Sequence, residues 1–159
     1  MTKSTMNIWD AVATPDKKYL KKVTFGSRSF TAIDPQYQIM KATEVWGPVG
    51  QGWGYTADMH YIPTQDGQII AVAEVTVWTE TPGNVFGPIP GVRTFYGKAS
   101  KKAVDFTTNE DAPKMAVTDG LTKALSHLGI CADVFLGKMD ANRYAADVAA
   151  DPTAKMEDW

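Results

Sequence analysis

Residues 55–79, YTADMHYIPTQDGQIIAVAEVTVWT, carry the clearest fold signal in the chain. Across 55–61, apolar or aromatic residues alternate with polar ones, a period of two that is typical of a strand with one covered face. The Asp66-Gly67 pair predicts a turn. The β-branched run at 69–79 predicts a second strand whose odd-numbered residues form a continuous apolar face. Together these features predict a β-hairpin.

Two further elements are expected after the hairpin. A connection rich in proline and glycine, 81–91, leads to a predicted third strand at 92–96, and short links favour an antiparallel meander. Residues 113–128 predict a helix. Gly120 inside it costs about 1 kcal/mol relative to alanine, so we expect the backbone of the sheet or of a neighbouring subunit to approach it. The apolar stripe of this helix is Val117, Leu121, Ala124, Leu125 and Leu128, and its polar face is Asp119, Thr122, Lys123 and Ser126.

The first 50 residues predict two helices and an irregular basic stretch. Asn7 is a candidate N-cap for a short helix over 8–13. Residues 16–29 fit a loop or a short helix. A second helix is expected to begin after Asp34, with proline in its first position, and to end at Gly47.

The predicted fold class is α+β: an antiparallel curved sheet of three or more strands, with a β-β-β-α core, packed with helices. A chain of 159 residues with 44% hydrophobic residues is long enough for one such domain, which we place at 1–145, with an acidic tail at 146–159. The composition of the tail favours a solvated terminus. The alternative is that its last residues, 157–159, dock on a partner or on a basic groove.

The single cysteine, Cys131, indicates a reducing cytosol. The absence of a signal peptide or bilayer-length apolar run predicts a protein that is neither exported nor embedded.

Charge is segregated along the chain. Residues 1–41 contain seven Lys or Arg and three acidic residues, 42–92 contain five acidic residues and no Lys or Arg, and 93–102 contain four Lys or Arg and no acidic residue. Residues 103–159 are again acidic. Such blocks suit a protein with one face for a polyanion, although each block alone is also typical of a solvated face, and charge leaves both interpretations open.

Aromatic residues are interleaved with both basic blocks. This arrangement is typical of proteins that bind single-stranded nucleic acids, because cations neutralise the phosphates and aromatic rings stack on the bases. The alternative is that the aromatic residues fill the core. The candidate DNA-binding residues from this pattern are Lys21, Lys22, Arg28, Phe30, Arg93, Lys98, Lys101 and Lys102.

Catalytic patterns are weak, and we expect neither an enzyme nor a cofactor or metal site. The segment from Gly91 to Lys98 has five residues between its glycines where a phosphate-binding loop has four, and Ala99 replaces the required hydroxyl. His60 lies two residues from Asp58 on one strand face, but no nucleophile accompanies them. A small enzyme built on His60 is therefore the third interpretation.

The helix segment AVTDGLTKALSHLG, residues 116–129, resembles the AVTDGLxxALxxxG segment of the Rad-fifty-two family of single-strand annealing proteins, which includes phage recombination proteins. TEVWG at 43–47, followed by Gly-Trp at 52–53, resembles the family's helix end and strand start. KMD at 138–140, with Tyr144, resembles its lysine-aspartate-tyrosine stretch. The resemblance covers roughly 28–145.

This resemblance implies an ATP-independent protein that anneals complementary single strands in homologous recombination and DNA repair, inside a bacterial host cell. It implies assembly into a ring or helical oligomer with DNA in a positively charged outer groove, and possible partners are a phage exonuclease or a host single-strand binding protein. Lys123 falls on a basic groove position of the family, and Arg28 falls near its basic loop. Lys98, Lys101 and Lys102 fall in a connection where relatives carry a secondary DNA-binding lysine. A passive single-stranded DNA-binding module is the alternative.

Overall fold

The computed structural model describes residues 5–25 and 27–139, without the side chains of Phe25 and Arg28. This part of the chain is α+β, as expected. Its elements in chain order are α1 (Asn7–Val12), a 3-10 helix (Lys17–Tyr19), β1 (Leu20–Phe25), β2 (Arg28–Ile33), α2 (Pro35–Trp46), β3 (Trp53–Pro63), β4 (Ile69–Thr79), β5 (Asn84–Gly97), β6 (Thr107–Thr108), α3 (Ala112–His127) and α4 (Ala132–Phe135).

The chain divides into two compact units. Of the described residues, 5–25, 27–41 and 126–139 belong to unit 1, and 42–125 belong to unit 2. The predicted acidic tail lies outside the described residues, as do Asp140 and Tyr144 of the lysine-aspartate-tyrosine stretch. Within the described part of the chain, no helix is long and apolar enough to span a bilayer.

Unit 2 is built on a four-stranded antiparallel sheet in the order β3-β4-β5-β6. In the central strand β4, the odd-numbered residues from Ala71 to Thr79 are buried, and the even-numbered ones are partly exposed. The register sets Ala57 opposite Val75 and Asp58 opposite Glu74. Apolar residues of β3 and β4 therefore share one face, and their polar partners share the other.

Helix α3 packs against the apolar face through two glycines. A Cβ on Gly120 would lie 2.7 Å from Val75 Cγ2 and 3.1 Å from both Gly91 N and Ile89 O. A Cβ on Gly91 would lie 1.9 Å from Ala116 O. The expected close approach to Gly120 is confirmed, and the approaching backbone is that of the sheet.

Unit 1 contains the antiparallel hairpin β1-β2 and the short helices α1 and α4. The backbone of Val12 and Ala13 accepts hydrogen bonds from Cys131 N and Asp133 N. The Thr14 hydroxyl donates to the Asp133 carboxylate at 2.6 Å. These bonds attach the end of α1 to the start of α4 around a buried core.

Several predicted elements are confirmed. The strand at 69–79 and the turn at Asp66-Gly67 are present, and Gly67 has φ +84°. Asp34 accepts a hydrogen bond from Gln36 N at 2.8 Å at the start of α2, as an N-cap does. The helix predicted over 113–128 is α3, displaced by one residue.

Other predictions are wrong. The sequence favoured a loop or a short helix over 16–29, but residues 20–25 form β1 and β2 begins at Arg28. Strand β1 has no alternation of apolar and polar residues that would reveal it. Strand β5 begins at Asn84 and includes most of the predicted connection. Its prolines are tolerated because β6 pairs with β5 only at its end, which leaves the rest of that edge without a ladder. The N-cap of α1 is Met6 rather than Asn7.

Candidate nucleic-acid interface

Positive charge is concentrated in the loop that follows β5. Lys98, Lys101 and Lys102 are exposed in this loop, which lies within unit 2. A cavity of about 370 Å³ opens between the loop and the turn at 64–68, a volume within the usual range for small-molecule sites. The residues that line this cavity are Asp66, Gln68, Lys98, Ser100, Lys101 and Phe106.

An aromatic pair adjoins the same cavity. The rings of Tyr96 and Phe106 stack with centroids 5.3 Å apart and planes 23° apart. Lys98 Nζ lies 5.2 Å from the centroid of the Phe106 ring, a cation-π distance. Tyr96 retains 36% of its surface exposed. The site thus offers ammonium groups and an accessible aromatic surface side by side.

The one carboxylate of the cavity is engaged by its own turn. Asp66 accepts hydrogen bonds from the Thr64 hydroxyl and from Gln68 Nε2, the latter at 2.8 Å. These bonds, led by that of Thr64, lower the pKa of Asp66, so it is ionised at neutral pH. Lys98 and Lys101 therefore share the cavity with Asp66, whose oxygens already accept hydrogen bonds from the turn. Because the lysines outnumber this carboxylate, the cavity favours an anionic ligand.

Arg93 and Lys123 extend the basic residues along β5 and α3. Arg93 is exposed on β5, and its guanidinium donates to Val92 O at 3.0 Å. Gly91 lies against both Ala116 and Gly120, and Val92 N donates to Asp119, so α3 crosses β5 close to Gly91. Arg93 lies close to this crossing on β5, and Lys123 follows Gly120 on α3.

The AVTDG segment has a structural role. Asp119 Oδ2 accepts a hydrogen bond from Val92 N at 3.0 Å and so satisfies a donor on the edge of β5. Gly120 allows the backbone contact with the sheet described above. Ser126, predicted on the polar face of this helix, is buried, so that prediction is wrong. The first five residues of the segment that carries the family resemblance, 116–120, thus pack α3 on the sheet, and Lys123, later in the same segment, is exposed.

The candidates in unit 1 lie on the β1-β2 hairpin. Lys21 pairs with Ala32 and Lys22 with Thr31, so the two lysines point to opposite faces. Phe30, 38% exposed, pairs with Val23 and shares the face of Lys21. The side chain of Arg28 lies outside the described residues. A ligand that binds one face of the hairpin therefore contacts either Lys21 or Lys22, and not both.

The structure brings Lys98 and Lys101 together and places Lys102 beside them in the same loop. It adds four cavity residues that the sequence did not single out as binding residues: Asp66, Gln68, Ser100 and Phe106. Asp66 carried a turn signal only, and no sequence signal distinguished Phe106 from a core aromatic. His60, the residue of the enzyme hypothesis, is exposed and pairs with Glu74 at 3.1 Å.

Comparison with known proteins supplies no further assignment. The chain matches no protein-family model, and no curated protein matches it. The resemblance of residues 116–129 to the annealing proteins remains a prediction from the sequence.

Proposed function

We propose that this protein binds single-stranded DNA and anneals complementary strands without ATP, as a homo-oligomeric ring or filament. The observation that carries this proposal is the cavity where Lys98 and Lys101 adjoin the Phe106-Tyr96 stack. Cations that neutralise phosphates beside rings that can stack on bases are the recurrent means of holding single strands. The roles in phage recombination and repair, in a bacterial cytoplasm, follow the family resemblance and belong to the proposal.

The contacts suit a strand that is held by its backbone. Lysine and arginine displace the counterions around phosphates and keep the strand extended. Phosphate contacts position a strand without reading its sequence, so the bases stay available to a complementary strand. Base pairing then supplies the free energy of annealing, and no nucleotide hydrolysis is needed.

We place the main DNA path along β5, from Lys98 and Lys101 past Arg93 toward Lys123. All four residues belong to unit 2, in which α3 crosses β5 close to Gly91. Lys102 lies in the same loop as Lys98. The unit 1 candidates Lys21, Lys22, Arg28 and Phe30 are proposed as further DNA contacts on the strength of the sequence pattern. A phage exonuclease or a host single-strand binding protein is the proposed class of protein partner.

An annealing assay with complementary fluorescent oligonucleotides tests this function. We expect the protein to accelerate pairing without ATP, and the variant Lys98→Gln/Lys101→Gln to lose most of that acceleration. Glutamine keeps part of each side-chain stem, so the Phe106 contact is disturbed least. Lys114→Gln is the matched control, because the Lys114 ammonium is already paired with Asp111 at 2.9 Å.

The outcomes separate the candidate functions. Binding that slows pairing would overturn annealing and identify a passive single-strand binder. The absence of binding to any oligonucleotide at low salt would overturn both. Equal loss in the control variant would show that the cavity lysines have no special role.

A further inference from the structure

Strand β3 presents an open sheet edge. It is the outer strand of the four-stranded sheet, and its neighbour on the inner side is β4. Among the residues that the structure describes, only Trp53, the first residue of β3, has a bridge on the outer side, to Val49. In the described part of the chain no strand pairs with the remaining outer edge, where Tyr61 and Ile62 are each 51% exposed. An exposed edge of this length, with proline only at its end, is a template for another strand.

The other side of the sheet is protected. Pro88 and Pro90 remove two donors from β5, and Asp119 satisfies the N–H of Val92. Strand β6 pairs with the end of β5, and Asn109 N donates to Phe95 O. Proline, short pairing strands and covering side chains are the usual protection of sheet edges. The contrast indicates that the edge of β3 is left open for a partner.

The side chains beside the open edge carry acidic charge. Asp58 and Glu74 are opposite each other on the face away from α3, and the Glu74 side chain, which pairs with His60 at 3.1 Å, is 45% exposed. No Lys or Arg occurs anywhere in 42–92. The strand that completes this edge should therefore bring positive charge.

The β1-β2 hairpin has the complementary properties. Lys21, Lys22, Thr24, Ser29 and Phe30 are exposed, so side chains on both faces of the hairpin are accessible. A two-stranded sheet is marginal by itself and gains from a third strand. Its first strand, LKKVTF, contains two lysines and no acidic residue.

We propose that the open edge of β3 pairs with the β1-β2 hairpin of a second copy of this chain. Main-chain hydrogen bonds join the strands, and a hairpin lysine lies beside Asp58 and Glu74. Since Lys21 and Lys22 point to opposite faces, one lysine reaches the acidic face and the other remains on the opposite face. Pairing of two β3 edges would add no positive charge to this surface.

This contact is heterologous, because the hairpin of one copy pairs with a different surface, the β3 edge, of the next copy. Repetition of such a contact closes into a ring or continues as a filament. The inference thus rests on the self-association in the proposed function and assigns it a surface. It does not depend on DNA.

Charge reversal with rescue tests the contact. The hairpin variant Lys21→Glu/Lys22→Glu and the edge variant Asp58→Lys/Glu74→Lys should each self-associate at least about tenfold more weakly than the wild-type protein, because like charges then meet. Mixed in equal amounts, they should assemble again, with acidic hairpins on basic edges and basic hairpins on acidic edges. Lys114→Glu, on α3, controls for a reversed charge elsewhere. Mass photometry without DNA gives the assembly size, and circular dichroism verifies folding.

Hydrogen exchange gives a second readout on the full chain. The β3 amides should exchange more slowly in the wild-type assembly than in the hairpin variant. An unaffected hairpin variant, failure of the mixture to assemble, or equal β3 exchange in both states would overturn the inference. A wild-type protein that binds DNA but stays monomeric would overturn it too and leave DNA binding intact. Assembly without DNA binding would refute the proposed function alone.

Discussion

Substitution of Gly91 by alanine tests the packing that places α3 on the sheet. The new Cβ would lie 1.9 Å from Ala116 O, 2.3 Å from Gly120 N and 2.9 Å from Gly120 Cα. All three atoms are backbone, so no side-chain rotation relieves the contact. To reach 3.4 Å from Ala116 O, where ordinary contact begins, the helix backbone has to retreat by about 1.5 Å.

The retreat has a calculable cost. Overpacking of a buried contact costs about 1–3 kcal/mol, occasionally more, and loss of the Asp119 to Val92 hydrogen bond adds about 1 kcal/mol. The reduced entropy of the unfolded chain with alanine offsets about 0.4–1 kcal/mol. We therefore expect Gly91→Ala to lower the free energy of unfolding by about 2 kcal/mol. At about 2–4 °C per kcal/mol, Tm should fall by about 6 °C.

Urea denaturation followed by circular dichroism measures this loss, and two other glycines calibrate it. For Gly120→Ala, the gain of about 1 kcal/mol in helix propensity opposes overpacking against Val75, so we expect a loss of about 0–2 kcal/mol. Gly83→Ala is the control, because its Cβ would have no atom closer than 3.7 Å. A Gly91→Ala protein as stable as Gly83→Ala would refute the packing argument.

Two more predictions concern single side chains. Burial raises the pKa of Cys131 to about 11, so its side chain is a protonated thiol at neutral pH. We therefore expect a thiol reagent to label Cys131 only as fast as the surrounding core opens. Labelling of the native protein at the rate of a free thiol would contradict the burial of Cys131. Asp119→Ala should lower the free energy of unfolding by about 1 kcal/mol and speed hydrogen exchange of the Val92 amide, because that amide loses its acceptor. Binding of single-stranded DNA should be unchanged. A loss of DNA binding at unchanged stability would show that Asp119 contacts the DNA.

The core of unit 2 could be predicted from the sequence because its pattern is local. The alternation in β4 and the Asp66-Gly67 turn each depend on neighbouring residues, and both are present in the structure. Gly120 also gave a correct inference, since a helical glycine is costly without a close neighbour. The partner of that glycine, Gly91, could not be identified, because it lies in a segment whose prolines and glycines indicated a loop.

The hairpin β1-β2 was missed for a different reason. Its residues are accessible on both faces, so no apolar period marks the strands. The candidate site could be predicted only in part. Charge segregation along the sequence pointed to Lys98 and Lys101, whereas Phe106 lies beside them only in the folded structure. The motif with the strongest resemblance has a packing role that spacing alone did not reveal, because Asp119 acts on a strand 27 residues away.

The salt dependence of single-strand binding tests the central claim most directly. Fluorescence anisotropy with an unstructured oligonucleotide, repeated over a range of salt concentrations, gives the slope of log K against log salt. Each phosphate contact on a single strand contributes about 0.7 to that slope, so Lys98→Gln/Lys101→Gln should flatten it by about 1.4 relative to the wild-type protein and to Lys114→Gln. The account predicts this flattening together with weaker binding to every sequence. An unchanged slope and affinity in the double variant would contradict a DNA-binding role for the cavity.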